Sequence, residues 1–355
     1  MSAAGRLSLH ELPDLASARE DWTRLAPGTG SPFSTWEWAD CWWRTMAPGG
    51  ELALLAARDA GGATVGILPL YVRRRGPLRV IRFVGNGPAD QLAPVCAPED
   101  RPRVAAALRR ALDDGIGRWN VALLERLPGE QDWPGMLGAP VTRTEPSPVL
   151  EADGMDFDAW LASRSKNFRD QVRGRERKLG RAHEVEFRLS DDPDRLDRDF
   201  DELVRLHNLR FGETSRAFDP PRDRLHREFA HAALAAGFLR LWTLEVDGRA
   251  AAAWLGYRMG GNEWYYQSGR DPELERESVG FVLMAHTIRA ALNDGMRAYR
   301  LLLGDESYKD RFASADHGLD TIVLSRGVGR AAPLAARAAQ AAPPRLRRLL
   351  RRLSD

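Results

Sequence analysis

Several things are scarce in this chain, and each scarcity removes a class of protein. Only two of its 355 residues are cysteine, Cys41 and Cys96. They lie far apart, without the spacing of a disulfide framework or a metal knuckle, which fits a reducing cytoplasm. No apolar run approaches the roughly 20 residues of a membrane-spanning helix; stretches such as Ala250 to Leu255 are short. The opening residues, MSAAGRLSLHELPD, have no apolar core behind a basic start, so no signal peptide is expected. There is no GxxxxGK[ST] loop, HExxH pair, Cys/His cluster or GxSxG elbow, so nucleotide hydrolysis, zinc chemistry and serine hydrolysis have no obvious seat. His226 and His231, five apart, do not share a helix face, and no metal is expected. Lysine is rare too: Lys166, Lys178 and Lys309 are the only three among 52 basic residues.

What is present describes a globular protein. Hydrophobic residues make up 43% and charged residues 29%, and the length fits about two domains of 100–200 residues. The net charge of +2 is unevenly spread. Residues 331–355 hold six arginines against Asp355, so the remaining body is mildly acidic and lacks the overall charge of a nucleic-acid binder.

The chain duplicates itself. In the first half a helix-like segment (33–46) precedes two strand-like runs (51–59 and 63–72), then a helix (101–115) and an apolar strand (120–127). In the second half a helix-like segment (200–212) precedes two strands around Asp247-Gly248, a helix (279–295) and a strand (298–306). ALDDG at 111–115 matches ALNDG at 291–295, and each glycine is the expected helix stop. The order predicts two similar α/β (α+β) domains, each a mixed central sheet flanked by helices. The break falls near 142–154, giving domains at 1–150 and 151–330 and a basic tail at 331–355. Residues 155–182 read as one long helix, and 320–325 as the final strand of the second domain.

Chemistry concentrates between Asn262 and Phe312. An aromatic strand (Trp264, Tyr265, Tyr266) ends in a polar loop, and Ser278 is placed to cap a helix whose first turn holds Gly280. Free backbone amides at such a start hold anions, and Arg270 and Arg276 add charge. The same residues also read as an ordinary capped helix with solvated arginines. Beyond the strand YRLLL (299–303) come Gly304, Asp305, Glu306, Ser307, Tyr308 and Lys309, at a strand end where open sheets place ligands. A polar turn with a surface ion pair is the competing reading.

The pattern YYQSGRDPE…SVGFVLMAHTIRAALNDG, the following GDESYKDRF and the upstream SRSKNFRDQVRGRERKL resemble the GNAT acyltransferase superfamily. The resemblance is to its branch of CelD-like and Fem-type proteins, and it covers roughly 155–326. The first half then looks like the degenerate partner of a tandem arrangement. The resemblance implies acyl transfer from a thioester or aminoacyl ester to an amine. It places donor phosphates at Arg276, Ser278, Val279 and Gly280, although the usual [RQ]xxGx[GA] register is not matched. The resemblance implies acyl-CoA as the donor, and the unmatched register leaves aminoacyl-tRNA or an acyl carrier protein open as alternatives. A phenol at Tyr308 would protonate the leaving thiolate, and Asp305 or Glu306 would take the proton of the attacking amine. Backbone amides of 264–268 would polarise the carbonyl. Tyr266, Arg270, Asp271 and Lys309 are candidate substrate contacts, Asp271 before Pro272 reading equally as a turn residue.

The acceptor is expected to be an amine or amino sugar of envelope or secondary metabolism. The basic 164–181 segment is a candidate tRNA or lipid contact, or simply a solvated face. PRLRRLLRRL (344–353) is a candidate amphipathic helix for a peripheral membrane contact by an otherwise cytoplasmic protein. The cluster Trp36, Trp38, Trp42 and Trp43 reads as packing, or as the lining of an acceptor cleft. A GNAT fold that has lost its chemistry and serves as a scaffold is the non-enzymatic alternative.

Overall fold

The computed structural model describes residues 5–47, 49–212, 215–304 and 308–327. The chain forms two compact units, residues 1–146 with 317–355, and residues 147–316. Among the described residues no helix is long and apolar enough to cross a membrane.

The first unit comprises β1 (Ser8–Glu11), α1 (Arg19–Thr29), α2 (Trp36–Met46), β2 (Glu51–Arg58), β3 (Thr64–Arg75), β4 (Leu78–Phe83), β5 (Val95–Cys96), α3 (Arg101–Asp113), β6 (Val121–Pro128), α4 (Trp133–Leu137), β7 (Arg143–Glu145) and, from the far end of the chain, β15 (Leu319–Ser325). Its sheet runs β1-β2-β3-β4-β6-β15-β7, with β5 beside β3. The tryptophans of α2 are packing residues. Trp38 and Trp42 are buried, and the Trp42 indole N–H donates to the Asn86 carbonyl at 2.9 Å.

The second unit comprises β8 (Pro148–Glu151), α5 (Phe157–Ser163), α6 (Lys166–Ala182), β9 (Val185–Leu189), α7 (Leu196–Phe211), α8 (Pro220–Ala235), β10 (Leu239–Val246), β11 (Arg249–Met259), β12 (Asn262–Arg270), α9 (Val279–Asn293), β13 (Ala298–Arg300) and β14 (Ala315–Asp316). Its sheet runs β14-β8-β13-β12-β11-β10-β9. The duplication is visible in the topology. In each sheet antiparallel strands lead to one parallel pair, β4 with β6 and β12 with β13. The helices α3 and α9 bridge those pairs. Both end at a left-handed glycine, Gly115 (φ 81°) and Gly295 (φ 78°), where a side chain would be strained.

Three expectations are corrected. The stretch 155–182 is two helices, because Arg164 is extended and the Ser165 hydroxyl accepts from the Phe168 amide, starting α6 anew. The strand at 320–325 belongs to the first unit's sheet, antiparallel to β6 with Leu319 opposite Pro128. The second unit therefore begins at Ser147 and ends at Asp316, not at 151 and 330. The corresponding place beside β13 is filled by β8. Finally, the strand after α9 ends at Arg300; Leu301 still donates to the Pro148 carbonyl of β8, but Leu302 adopts φ 58°, which breaks the extended run. The proposed helix at 344–353 and the rest of the tail lie outside the described residues.

Candidate functional site

Strand β12 carries the local irregularity on which the site is built. Opposite it, Leu255 pairs with Gln267 but Gly256 pairs with Tyr265, leaving Tyr266 as an extra, bulged residue. Strict alternation would put Tyr266 on the same face as Ser268. The bulge exchanges the two tyrosines. Tyr265 joins Ser268 on the face covered by α9 and stacks on Trp254, with ring planes 9° apart. Tyr266 turns the other way, its ring beside His226 and Tyr257. Strand β13 pairs with β12 only as far as Trp264, so the two strands part where the bulge begins.

At this point the second unit contains a cavity of about 350 Å³. It is bounded by β11, β12, the first turns of α9, Arg175 of α6, Arg210 of α7, and Tyr308, Arg311 and Phe312. Its walls are aromatic and aliphatic: Trp254, Tyr265, Phe281, Leu283, Met284 and Phe312. Four arginines line it, Arg175, Arg210, Arg270 and Arg311, against one described acid, Glu275. Glu275 is held by Arg270 at 3.1 Å.

A chain of hydroxyls crosses the cavity wall. The Tyr308 and Tyr265 hydroxyl oxygens are 3.2 Å apart, Tyr265 and Ser268 Oγ 2.6 Å, and Arg210 donates to Ser268 Oγ at 3.2 Å. Behind the strand, His207 Nδ1 lies 3.0 Å from the Ser268 carbonyl. A carbonyl only accepts, so the proton sits on Nδ1. In the neutral ring Nε2 then accepts from the Ser215 hydroxyl at 2.7 Å. Burial pulls the His207 pKa below its ordinary value and keeps the ring neutral. His207 thus ties α7 to the backbone of β12 at the residue whose side chain faces the cavity.

The expected site residues fall into distinct groups. Tyr308, Arg270, Ser278 and Gly280 line the cavity. Ser278 occupies the position before α9 but does not cap it with its side chain. Its backbone is left-handed (φ 58°), and its carbonyl, not its hydroxyl, bonds the first turn. Arg276 is exposed and Val279 buries its side chain in the core; neither lines the cavity. Asp271 is a turn residue, its carboxylate accepting from the Glu273 amide at 2.9 Å. Lys309 is buried and donates to the Leu303 carbonyl at 2.7 Å, so it braces the chain instead of facing a ligand. Asp305 and Glu306 lie outside the described residues. Among the described residues no group of three or more His, Cys, Asp or Glu could hold a metal ion.

Residues 166–310 match the family described as the acetyltransferase (GNAT) domain. The second unit carries a GNAT acetyltransferase domain. Solved structures extend the likeness of fold over nearly the whole chain. FemX is 12% identical, with 90% of this chain and 95% of that one covered and a TM-score of 0.62. The C-terminal DUF2156 domain of a putative lysylphosphatidylglycerol synthetase from Agrobacterium fabrum is 11% identical, covering 92% and 97%, at 0.60. L-PGS from Bacillus licheniformis is 12% identical, covering 92% and 97%, at 0.57. No curated protein sequence matches the chain. The two mixed sheets flanked by helices thus match the fold of FemX.

Sequence reasoning missed Tyr265, Ser268, Arg175, Arg210 and Arg311 in the GNAT domain's cavity. For Arg175 a signal was available. Phe168, Val172 and Leu179 are the buried stripe of α6, and Arg175 stands three residues after Val172 and four before Leu179, on that stripe. A charge at a core-facing position invites explanation. For Tyr265 there was none, because a bulge is decided by the partner strand.

Proposed function

We propose that the GNAT domain is an acyltransferase working at the Tyr265–Ser268 wall of its cavity, moving an acyl group from a thioester to an amine. The observation that carries the reading is the hydroxyl chain from Arg210 through Ser268 and Tyr265 to Tyr308, placed where β12 and β13 separate. The amine nitrogen attacks the thioester carbonyl and the carbon–sulfur bond breaks. The amine's proton passes to a carboxylate, for which Asp305 and Glu306 remain the candidates, and Tyr308 protonates the departing thiolate. In the proposed protonation pattern Arg210 donates to Ser268, Ser268 to Tyr265 and Tyr265 to Tyr308. Hydrogen bonds aimed at the Tyr308 oxygen stabilise the phenolate left behind. The Gly280 amide at the start of α9, together with the cavity's arginines, fits an anionic donor such as acyl-CoA. The acceptor would be an amine or amino sugar.

The test is thiol release from acetyl-CoA and longer acyl-CoAs with a panel of amines, for the wild type and for Tyr308→Phe. Loss of a general acid is expected to lower kcat by about 10²–10⁴ with little change in KM. Activity of the variant within threefold of wild type would remove Tyr308 from the chemistry. A second reading, an aminoacyl-ester donor, is favoured by the basic groove of Arg177, Lys178 and Arg181 on α6. It gains if no acyl-CoA is used while an aminoacyl-tRNA is.

A further inference from the structure

Arg175 is an expensive residue to place where it stands. It occupies the inward stripe of α6, its guanidinium carbon 4.4 Å from the centre of the Phe281 ring. No carboxylate partners it among the described residues. Arg311 reaches the same ring, at 5.5 Å, and donates to Gln171. The two guanidiniums therefore face one aromatic platform from two elements, α6 and the turn after Tyr308. Burial and the charge of Arg311 both pull the Arg175 pKa down from its ordinary value, yet an arginine stays charged in a protein. Nearby like charges repel, and a partly buried pair is screened less than a surface pair. The other described charges lining the cavity do not relieve them: Glu275 is engaged by Arg270, and Arg210 points to Ser268.

We propose that Arg175 and Arg311 form a clamp for an anionic group of the ligand, a phosphoryl or carboxylate seated beside Phe281 in the cavity. Two planar guanidiniums offer paired N–H donors to such a group. The aromatic and aliphatic wall takes the apolar part attached to it, so the substrate class is an anion joined to a small apolar body. The assignment of this anion to a reacting substrate rests on the proposed acyltransferase reading; the clamp itself does not.

The probe is inorganic pyrophosphate, titrated calorimetrically into the full chain and followed by coenzyme A. Wild type is expected to bind pyrophosphate saturably, and Arg175→Gln and Arg311→Gln each to weaken it by about tenfold or more. Arg198→Gln, the same loss of charge on an exposed position of α7, is expected to leave binding unchanged. If pyrophosphate excludes coenzyme A, the clamped anion belongs to the donor. If both bind together, or pyrophosphate alone binds, it belongs to the acceptor. Arg311→Gln also loses a bond to Gln171, so Arg175→Gln is the decisive variant. Relief of repulsion predicts that its thermal midpoint without ligand holds or rises, while a purely packing role predicts a fall with pyrophosphate affinity intact. Absence of saturable binding by wild type, or binding indifferent to Arg175, overturns the clamp. Failure of transfer with Arg175-dependent binding retained would sink the acyltransferase reading alone, and transfer without such binding would sink the clamp alone.

Discussion

Gly269 sits where α7 lies against β12, and the consequence of adding one methyl group there can be worked out. A Cβ at 269 would stand 2.2 Å from the His207 nitrogen and 2.4 Å from the Leu206 carbonyl carbon. Ordinary contact needs about 3.5 Å, so α7 must retreat by roughly 1.3 Å or β12 must bend. Both obstacles are backbone, which cannot rotate aside. Either movement stretches the 3.0 Å contact between His207 Nδ1 and the Ser268 carbonyl beyond hydrogen-bonding range. Overpacking of this kind costs about 1–3 kcal/mol and the lost hydrogen bond about 1 kcal/mol. Gly269→Ala should therefore lose about 2–4 kcal/mol, which for a unit of this size is a fall of roughly 5–15 °C in thermal midpoint. Because Ser268 moves with its carbonyl, under the proposed acyltransferase reading kcat should fall as well. The matched control is Gly174→Ala, in the interior of α6 with nothing within 4 Å of its would-be Cβ. That variant should gain about 0.8–1 kcal/mol from helix propensity and melt higher. Thermal melts followed by circular dichroism read both. A Gly269→Ala midpoint within 2 °C of wild type, or a Gly174→Ala midpoint below it, would refute the reasoning.

Three further outcomes follow from the same contacts. His226 is fully enclosed, and burial pushes its pKa from 6.5 down to about 3. The unfolded chain therefore binds its proton first: stability is fully present above pH 6.5 and is lost as pH falls toward 3. By pH 5 this one group removes about 2 kcal/mol, and urea titrations at pH 7 and 5 should show the loss shrink by that amount in His226→Phe. Ser165→Ala removes the cap of α6 and should cost about 1 kcal/mol, with faster hydrogen exchange at residues 166–169 as the local sign. Glu263, buried in β12, holds Arg258 at 2.6 Å. Glu263→Ala should cost about 3 kcal/mol by chemical denaturation, at the lower end for a broken buried pair, because Asp294 still holds Arg258 at 2.7 Å.

Much of the architecture was legible in the chain itself. The helix and strand periods, the Gly115 and Gly295 stops and the repeated order announced two related α/β units, because those signals are local: hydrophobic spacing and backbone freedom act within a few residues. The nearness of Tyr308 to the cavity was legible through the family resemblance that singled it out after the strand that follows α9. The boundary at Ser147 and the return of β15 to the first sheet were not, since a short apolar strand fits either sheet and only the vacant place between β6 and β7 selects it. The two helices within 155–182 could have been read from Ser165, a capping residue in mid-pattern, had the apolar stripe not run through it.

The amino-acid sequence alone determined the kind of fold, its duplication and the segment in which the chemistry gathers. Tertiary structure decided which side chains meet there. The bulge at Tyr266 sent Tyr265, not its neighbour, into the cavity. The packing of α7 brought His207 and Arg210 to Ser268. The covering of Phe281 by α6 brought Arg175 to Arg311 across more than a hundred residues. Each of those meetings depends on the register and approach of elements distant in sequence, and no spacing along the chain encodes it.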